Sequence, residues 1–319
     1  MINKFKTFLI LVIFLTLGAC TPPNTPKAVD TLAPSIAPRS ETIQLVDNIG
    51  KSITLTAPAQ KIVSLSPAIT ESLFALGAGD QIVGRDTFSD YPDQAKNITD
   101  VGGGFGELNV EAILSQAPDL VLVSALTPPE QSKAMEDAGL TVFALGNPKD
   151  FDGLYNDLIT LATLSGRDEE ATQLIAGLKA RVAAVTGKLA GVNQRPLVFY
   201  EIDATDPNAV WTAGPGSIID TLINMAGGEN LGVKLADEWV QISLEELIAR
   251  DPDLILLGDA YWGGVTVESV QTRSGWQALE AVQNKKVFPF DDNLVSRPGP
   301  RLVDGLEALA QLLHPELLQ

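Results

Sequence analysis

The chain has 319 residues, and its 22 basic and 40 acidic side chains give a formal net charge of −18 at pH 7. So acidic a surface disfavours nucleic acid and broad contact with anionic lipid, because like charges repel. Cys20 is the single cysteine, so the chain cannot form an intramolecular disulfide.

The first 19 residues have the pattern of a lipoprotein signal peptide. Lys4 and Lys6 precede an apolar run over residues 8–17 that is too short to span a bilayer comfortably. The run ends in Leu17-Gly18-Ala19-Cys20, which resembles the lipobox of bacterial lipoproteins, in which the cysteine receives lipid. An ordinary secretory signal or a short membrane anchor is the alternative. Residues 20–40 are rich in proline and polar residues, which predicts a disordered tether.

Strand and helix patterns alternate over residues 41–165. Residues 42–56 alternate apolar and polar side chains around residues 47–50, which predicts an edge hairpin. Strands are predicted at 61–67, 81–87, 119–124 and 141–145, and helices at 68–76, from 109, and at 129–138. This alternation predicts an α/β fold with a mainly parallel sheet.

A long helix and a second α/β pattern follow. Apolar residues recur at helical spacing over 166–192, which predicts one amphipathic helix. Strands are then predicted at 196–202, 253–258 and 286–290, and helices at 217–225, 243–250 and 301–313. The fold class is therefore two Rossmann-like α/β lobes, 41–165 and 193–319, joined by one long helix, with a ligand cleft between the lobes.

One segment occurs twice. NVEAILSQAPDLVL (109–122) returns as SLEELIARDPDLIL (243–256), which places Glu111 and Glu245 in the first turns of equivalent helices. Such a helix starts at the carboxyl end of a parallel sheet, where ligands of these sheets bind. The two glutamates therefore flank the mouth of the cleft, or they only complement the helix dipoles.

Several segments together resemble a known family. The segments KIVSLSPAITESLFALGAGDQIVG, FSDYP, LNVEAILSQAPDLVLV, MAGGEN and SRPGPR, with the long helix, resemble substrate-binding lipoproteins of ATP-binding-cassette importers for cobalamin, ferric siderophores and haem. The resemblance is strongest to cobalamin-binding members. It implies that Glu111 and Glu245 dock on arginines of the permease dimer, and that the linking helix permits limited hinge closure.

The resemblance and the strand-end positions together nominate ligand contacts. Phe88 and Phe105 stand where cobalamin-binding relatives present aromatic side chains, and Arg297 matches their pattern. The other nominated contacts lie at or beyond predicted strand ends, and they are Tyr200, Trp211, Trp262, Asp292 and Asn293. Ser124 and the glycines at 102–104 depart from the cobalamin pattern, so another broad ligand stays open.

The sequence gives weaker support to other ligands and other functions. A ferric siderophore would favour several cleft cations, and haem would favour Tyr200 or Tyr261 as an iron ligand. No metal site is predicted, because His314 is terminal and Cys20 is used for lipid. Ser217 does not have the G-x-S-x-G spacing of a nucleophilic serine turn. The glycine-rich residues 102–107 do not join a strand to a helix, as a dinucleotide-binding motif does, so no enzyme is predicted. A purely adhesive lipoprotein would lack a ligand cleft.

The sequence thus predicts an extracytoplasmic, lipid-anchored, monomeric binding protein. It would capture cobalamin or a related corrinoid, with no cofactor of its own, and deliver it to the permease. The anchor would hold it in a periplasm or at the outer face of the cytoplasmic membrane.

Overall fold

The structure, a computed structural model, describes residues 42–104 and 108–318. The predicted signal peptide, the tether with Cys20, and Phe105 lie outside the described residues. The described part of Ser40–Gln319 is one compact unit built around two β-sheets. We call the residues around the first sheet the N-lobe and those around the second sheet the C-lobe.

The N-lobe contains a hairpin and a four-stranded parallel sheet. Strands β1 (Ile43–Val46) and β2 (Ser52–Leu55) pair antiparallel. The sheet has the order β4-β3-β5-β6 and parallel pairing throughout. Its elements along the chain are β3 (Ile62–Ser64), α1 (Pro67–Ala75), β4 (Ile82–Arg85), α2 (Val110–Ser115), β5 (Leu120–Ser124), α3 (Pro129–Asp137) and β6 (Val142–Leu145).

Two helices connect the lobes. Helix α4 (Phe151–Ser165) ends at Gly166, whose φ of 72° lets the chain turn sharply into α5 (Asp168–Leu189). Helix α5 falls within the predicted linking helix at 166–192. None of the described helices is long and apolar enough to cross a bilayer.

The C-lobe sheet is mixed. Its order is β10-β8-β7-β11-β12, with β9 beside the start of β7, and β8 is antiparallel to both of its neighbours. Its strands are β7 (Leu197–Asp203), β8 (Ala209–Ala213), β9 (Glu229–Asn230), β10 (Trp239–Ser243), β11 (Leu254–Leu257) and β12 (Val287–Pro289). Its helices are α6 (Ile218–Met225), α7 (Leu244–Arg250), α8 (Val267–Thr272), α9 (Glu280–Gln283) and α10 (Leu302–Leu313).

The sequence repeat corresponds to one structural unit used twice, α2–β5 and α7–β11. A residue with positive φ follows each helix at the equivalent position of the repeat, Ala117 at 48° and Asp251 at 45°. Asp119 then accepts hydrogen bonds from the backbone N–H groups before β3, and Asp253 accepts one from Leu197 N at 2.6 Å. The repeated Pro-Asp therefore fastens each strand to its central neighbour.

The two lobes share a hydrophobic core. One buried cluster contains Leu73 and Leu122 of the N-lobe, Leu178 of α5, and Tyr200 and Leu306 of the C-lobe. Arg181 of α5 also binds Glu307 of α10 through Nε at 2.9 Å. Since large relative motion would expose this apolar surface to water, the lobes are joined firmly beneath the cleft.

Some elements were not predicted from the sequence. Helix α4 is one, although Phe151, Leu154 and Leu158 recur at helical spacing. Strands β8 and β10 are the others that bear on function, because they extend the C-lobe sheet beside the cleft. Both are short and lie at or next to the edge of the sheet, and each has an apolar tryptophan at an exposed position where a polar residue is usual.

Candidate ligand cleft

The cleft lies between two contacts that join the lobes. Asp90, after β4, accepts a hydrogen bond from Arg297, after β12, at 2.6 Å. Lys149, after β6, donates to Glu238, before β10, at 2.5 Å. Strands β4 and β6 are the two edges of the N-lobe sheet, and β12 and β10 are the two edges of the C-lobe sheet. The space between these contacts is therefore bounded by the strand ends of both lobes, where doubly wound folds bind ligands.

The N-lobe side of the cleft presents exposed apolar side chains. Phe88 and Tyr91 follow β4, Leu126 follows β5, and all three are exposed. The ring of Phe88 packs over Gly104, where the left-handed backbone at φ 75° leaves room that any Cβ would fill. The guanidinium carbon of Arg301 lies over the Tyr91 ring, 3.7 Å from the ring centroid. These loops give the cleft broad, flat surfaces.

The C-lobe side presents four more aromatic side chains. Trp211 of β8 and Trp239 of β10 project from the same face of the antiparallel ladder, because Trp239 pairs with Ala213, two residues beyond Trp211. Tyr261 and Trp262 follow β11 and are 69% and 61% exposed. Glu238, which reaches the N-lobe, directly precedes Trp239, so the start of β10 lies beside the cleft.

Trp239 was not nominated from the sequence. It is 43% exposed, as much as Trp211 at 41%. The signal was present, because Trp239 and Gln241 are exposed while Ile242 is buried, as expected for a strand with one open face.

The prediction that Tyr200 contacts the ligand is wrong in this structure. Tyr200 is fully buried in β7, and its hydroxyl donates to Asp292 at 2.8 Å. Its ring meets Phe290 edge to face, with centroids 6.1 Å apart. Burial, followed by the charge of Asp292, raises the pKa of Tyr200 well above its ordinary value. The side chain supports the loop after β12 from below, and it offers no oxygen to an iron.

The other residues nominated after β12 gather at one edge of the cleft. Asn293 donates to Asp291 at 2.8 Å, and Asp292 receives the Tyr200 hydroxyl. Partial burial raises the pKa of Asp90, but the hydrogen bond and the positive charge of Arg297 prevail and lower it. These polar groups therefore hold one another in place at the rim.

A buried ionic cluster lies under the C-lobe side of the cleft. Arg273 binds both oxygens of the fully buried Glu201, at 2.5 and 2.8 Å. Asp259, after β11, accepts from Ala204 N at 3.1 Å, while its second oxygen is buried without a partner among the described residues. Burial, followed by the charge of Glu201, raises the pKa of Asp259 to about 7. Asp259, two residues before Tyr261, therefore holds a proton for part of the time at neutral pH.

The N-lobe contains a buried network of hydroxyl groups instead of an ionic cluster. Thr70 Oγ1 lies 2.8 Å from Ser64 Oγ and 2.9 Å from Ser89 Oγ. Ser89 in turn donates to Asp86, and all four side chains are fully buried. Burial raises the pKa of Asp86 even though Ser89 and Phe88 N donate to it. This network fixes the loop that carries Phe88.

The repeated glutamates lie on exposed helix starts. Glu111 and Glu245 are each the second residue of their helix, after the N-caps Asn109 and Ser243. Each cap accepts a hydrogen bond from the third helical N–H. Both glutamates are exposed, and neither carboxylate has a partner within residues 42–104 and 108–318. Two free carboxylates thus stand on equivalent elements of the two lobes.

Ser217 has a structural role. It is buried and caps α6, accepting from Asp220 N and donating to Gly214 O, both at 3.0 Å. A hydroxyl engaged in this way is not an exposed nucleophile.

A second cavity, of about 830 Å³, lies away from the cleft, at the amino-terminal ends of the C-lobe strands. Pro196, Asp253 and Lys286, each directly before a strand, help to line it, and its lining contains no Phe, Tyr or Trp. It does not offer the flat apolar surfaces that the cleft has.

Comparisons with known proteins agree with this architecture. An uncharacterised ABC transporter substrate-binding lipoprotein of Bacillus subtilis is 31% identical over 281 residues, covering 86% of this chain and 86% of that protein. A cobalamin-binding protein of Halobacterium salinarum is 27% identical over 322 residues, covering 98% of this chain and 85% of that protein.

Solved structures show the same fold. The periplasmic vitamin B12 binding protein of Vibrio cholerae superposes with a TM-score of 0.69 at 27% identity, covering 82% of this chain and 99% of that chain. The periplasmic heme-binding protein RhuT of Roseiflexus sp. RS-1 gives 0.73 at 27% identity, covering 82% of this chain and all of that chain.

The family model described as periplasmic binding protein matches residues 62–294, which include both sheets and the linking helix. This chain therefore belongs to the periplasmic binding protein family and is a substrate-binding protein of the ATP-binding-cassette importers.

Proposed function

We propose that this protein captures cobalamin or a related corrinoid between its lobes and delivers it to an ATP-binding-cassette permease. The observation that carries the proposal is the concentration of exposed aromatic side chains on both walls of the cleft. They are Phe88, Tyr91, Trp211, Trp239, Tyr261 and Trp262. A corrin ring is broad and mostly apolar, with neutral amide groups at its rim, and such walls suit its two faces. Relatives named for cobalamin or vitamin B12 add support.

The charge of the cleft also favours a neutral ligand. In the described part of the chain, the cations beside the cleft already have acceptors. Arg297 binds Asp90, Lys149 binds Glu238, and Arg301 binds Glu71. Arg85 donates to the carbonyl of Asp86 at 2.8 Å through Nη1, while its Nε and the Nη2 of Arg301 are buried without a hydrogen bond among the described residues. An anionic siderophore or the propionates of haem would have to displace these partners, which costs binding energy.

Haem is the second candidate. Tyr261 is an exposed phenol beside the cleft, and a tyrosine can ligate haem iron. Solved haem-binding neighbours have the same fold at similar identity. Tyr200 no longer supports this candidate, because its hydroxyl is buried against Asp292.

Equilibrium titrations separate these candidates. Cyanocobalamin, haemin and a set of ferric siderophores are added in turn, and the fluorescence of the cleft tryptophans is followed. We expect saturable quenching by cyanocobalamin at the lowest concentration. Tighter binding of haemin that is lost on replacing Tyr261 by Phe would favour the haem candidate instead. Quenching by none of these ligands would overturn both.

The free carboxylates of Glu111 and Glu245 support a docking role. A carboxylate binds a guanidinium through two directed hydrogen bonds, so two such contacts at a fixed separation define an orientation. The partner is the permease dimer, with one basic site on each subunit. The two lobes present the glutamates on the same structural unit, which matches a partner with twofold symmetry.

The docking role is tested by uptake with matched controls. We expect Glu111→Ala with Glu245→Ala to abolish stimulated uptake while ligand affinity stays unchanged. Glu130 and Glu268 are also exposed second residues of helices, one in each lobe, and their double replacement makes the same change in charge. Uptake that survives the first pair, or is lost equally with the control pair, would refute docking through these glutamates.

Lipid on Cys20 would hold the protein at an extracytoplasmic membrane surface, as the sequence predicts. The relative from Bacillus subtilis is named a lipoprotein, which supports this part of the proposal. Replacement of Cys20 by Ser should move the protein from the membrane fraction to the soluble fraction. Retention of the variant in membranes would favour an uncleaved anchor.

A further inference from the structure

The two edges of the cleft are closed in different ways. At the β4–β12 edge, the nearly buried Glu71 of α1 accepts from Arg301 N at 3.0 Å and from Arg301 Nε at 2.7 Å. The exposed pair Asp90–Arg297 lies beside this link. Breaking a buried ion pair is costly, so this edge stays closed.

The β6–β10 edge has a much weaker closure. Lys149 and Glu238 form an ion pair across the lobes, with side chains 57% and 26% exposed. The Thr221 hydroxyl also donates to the Lys149 carbonyl at 2.9 Å, and this is a single neutral hydrogen bond. Water and salt reach this ion pair, and such exposed pairs contribute little stability each.

The position of the weaker pair connects it to the ligand. Glu238 directly precedes Trp239, one of the cleft aromatics, and Lys149 lies in the loop between β6 and α4. Separation of Lys149 from Glu238 would therefore move the wall that carries Trp239 away from the N-lobe. The nearly buried Glu71–Arg301 link at the other edge would act as the fixed side.

We propose that the Lys149–Glu238 ion pair is the releasable latch of the cleft and controls how fast ligand leaves. This inference rests on the proposed capture of a ligand between the lobes. The two residues act as positioning residues, because they set the separation of the walls and need not touch the ligand.

Dissociation kinetics test the latch with cyanocobalamin as the probe. We expect Lys149→Met to raise the dissociation rate about two- to fivefold, the range given by an exposed ion pair, with the association rate nearly unchanged. Lys149→Glu should raise it further, and Lys149→Glu with Glu238→Lys should restore it. Raising the salt concentration should speed dissociation in the wild type but not in Lys149→Met.

A matched control and a ligand-free measurement complete the test. Lys133 forms an exposed pair with Asp137 within one helix, so Lys133→Met removes the same charge without touching the cleft and should leave dissociation unchanged. Spin labels on Glu130→Cys and Glu268→Cys, in a Cys20→Ser background, report the distance between the lobes without ligand. We expect a broader distance distribution in Lys149→Met than in the wild type.

The outcomes separate the latch from the proposed ligand. If cyanocobalamin does not bind but the distances broaden, the latch stands and the ligand assignment fails. Unchanged distances in Lys149→Met, or a charge swap that does not restore slow dissociation, would overturn the latch.

Discussion

The two lobes share one helix–strand unit and differ in the surface that each turns towards the cleft. In α2–β5 and α7–β11 the chain repeats the cap, the glutamate, the positive φ and the strand-fastening aspartate. Around these units, the N-lobe has an all-parallel sheet and a hydroxyl network. The C-lobe adds the β8–β10 ladder with two tryptophans and a buried ionic cluster. The repeated units α2–β5 and α7–β11 are therefore suited to a symmetric partner. The cleft surfaces, which differ between the lobes, are suited to an asymmetric ligand.

The largest difference between the lobes should appear in stability. Replacing Arg273 by Met leaves Glu201 buried without its partner, and we expect a loss of about 3–5 kcal/mol in the free energy of unfolding. In the N-lobe, Ser89→Ala removes a hydroxyl that contacts Thr70 and donates to Asp86; Phe88 N still donates to Asp86, so the cost should be about 1–2 kcal/mol. Urea unfolding of both variants measures the difference. Equal losses would show that the two lobes are supported to the same degree.

Ligand affinity should depend more on the C-lobe wall than on surfaces outside the cleft. Replacing Trp211 and Trp239 by Ala removes two aromatic faces, and we expect the dissociation constant for cyanocobalamin to rise about tenfold to hundredfold. Ile159→Ala, at an exposed site on α4, serves as the control and should have no effect. Calorimetric titration measures both. A change below about twofold for the tryptophan variant would remove the C-lobe wall from the ligand site.

Asp259 of the C-lobe should make stability depend on pH. The pKa of Asp259 in the folded state is about 7, above its ordinary value of 3.8, so the folded protein binds a proton that the unfolded chain releases. Stability should therefore fall as pH rises from about 4 to about 7 and then level off. Asp157, raised to about 6 by burial, acts in the same direction over the lower part of this range.

Thermal unfolding between pH 5 and pH 8 measures this dependence. Asp259→Asn should flatten the fall in melting temperature between pH 6 and pH 8, where Asp157 contributes little. A wild-type melting temperature that rises over this range, or an Asn variant with the same slope, would contradict the assignment.

The smallest expected difference concerns the repeated aspartates. Asp119 fastens two backbone N–H groups and Asp253 fastens one, so Ala at either position should cost about 1–3 kcal/mol, with the larger loss at Asp119. Denaturant midpoints compare the two variants. A loss of stability in only one of the two variants would mean that Asp119 and Asp253 do not have equivalent structural roles.

Much of the scaffold could be predicted because it depends on local patterns. The alternation of apolar strands with amphipathic helices, and the caps at Asn109 and Ser243, predict the parallel strands of both lobes directly. The repeat placed Glu111 and Glu245 on equivalent helix starts. Each of these inferences uses residues that are neighbours in sequence.

The cleft was harder to predict because its contacts join distant parts of the chain. Asp90 and Arg297 are 207 residues apart, and Glu71 and Arg301 are 230 apart. Tyr200 was misassigned since a strand residue near the carboxyl end can face either the cleft or the core. Tyr200 is buried by Phe290, just after β12, and within a core cluster that includes residues of α10, both near the end of the chain.

Hydrogen–deuterium exchange with and without cyanocobalamin tests directly whether the ligand binds between the lobes. We expect protection in the loops at 86–92 and 258–264 and in β10 (Trp239–Ser243), on both walls of the cleft. The segments 191–196 and 313–317, which line the cavity at the other end of the C-lobe, should not change. Protection of those two segments alone, or of one wall without the other, would contradict capture between the lobes.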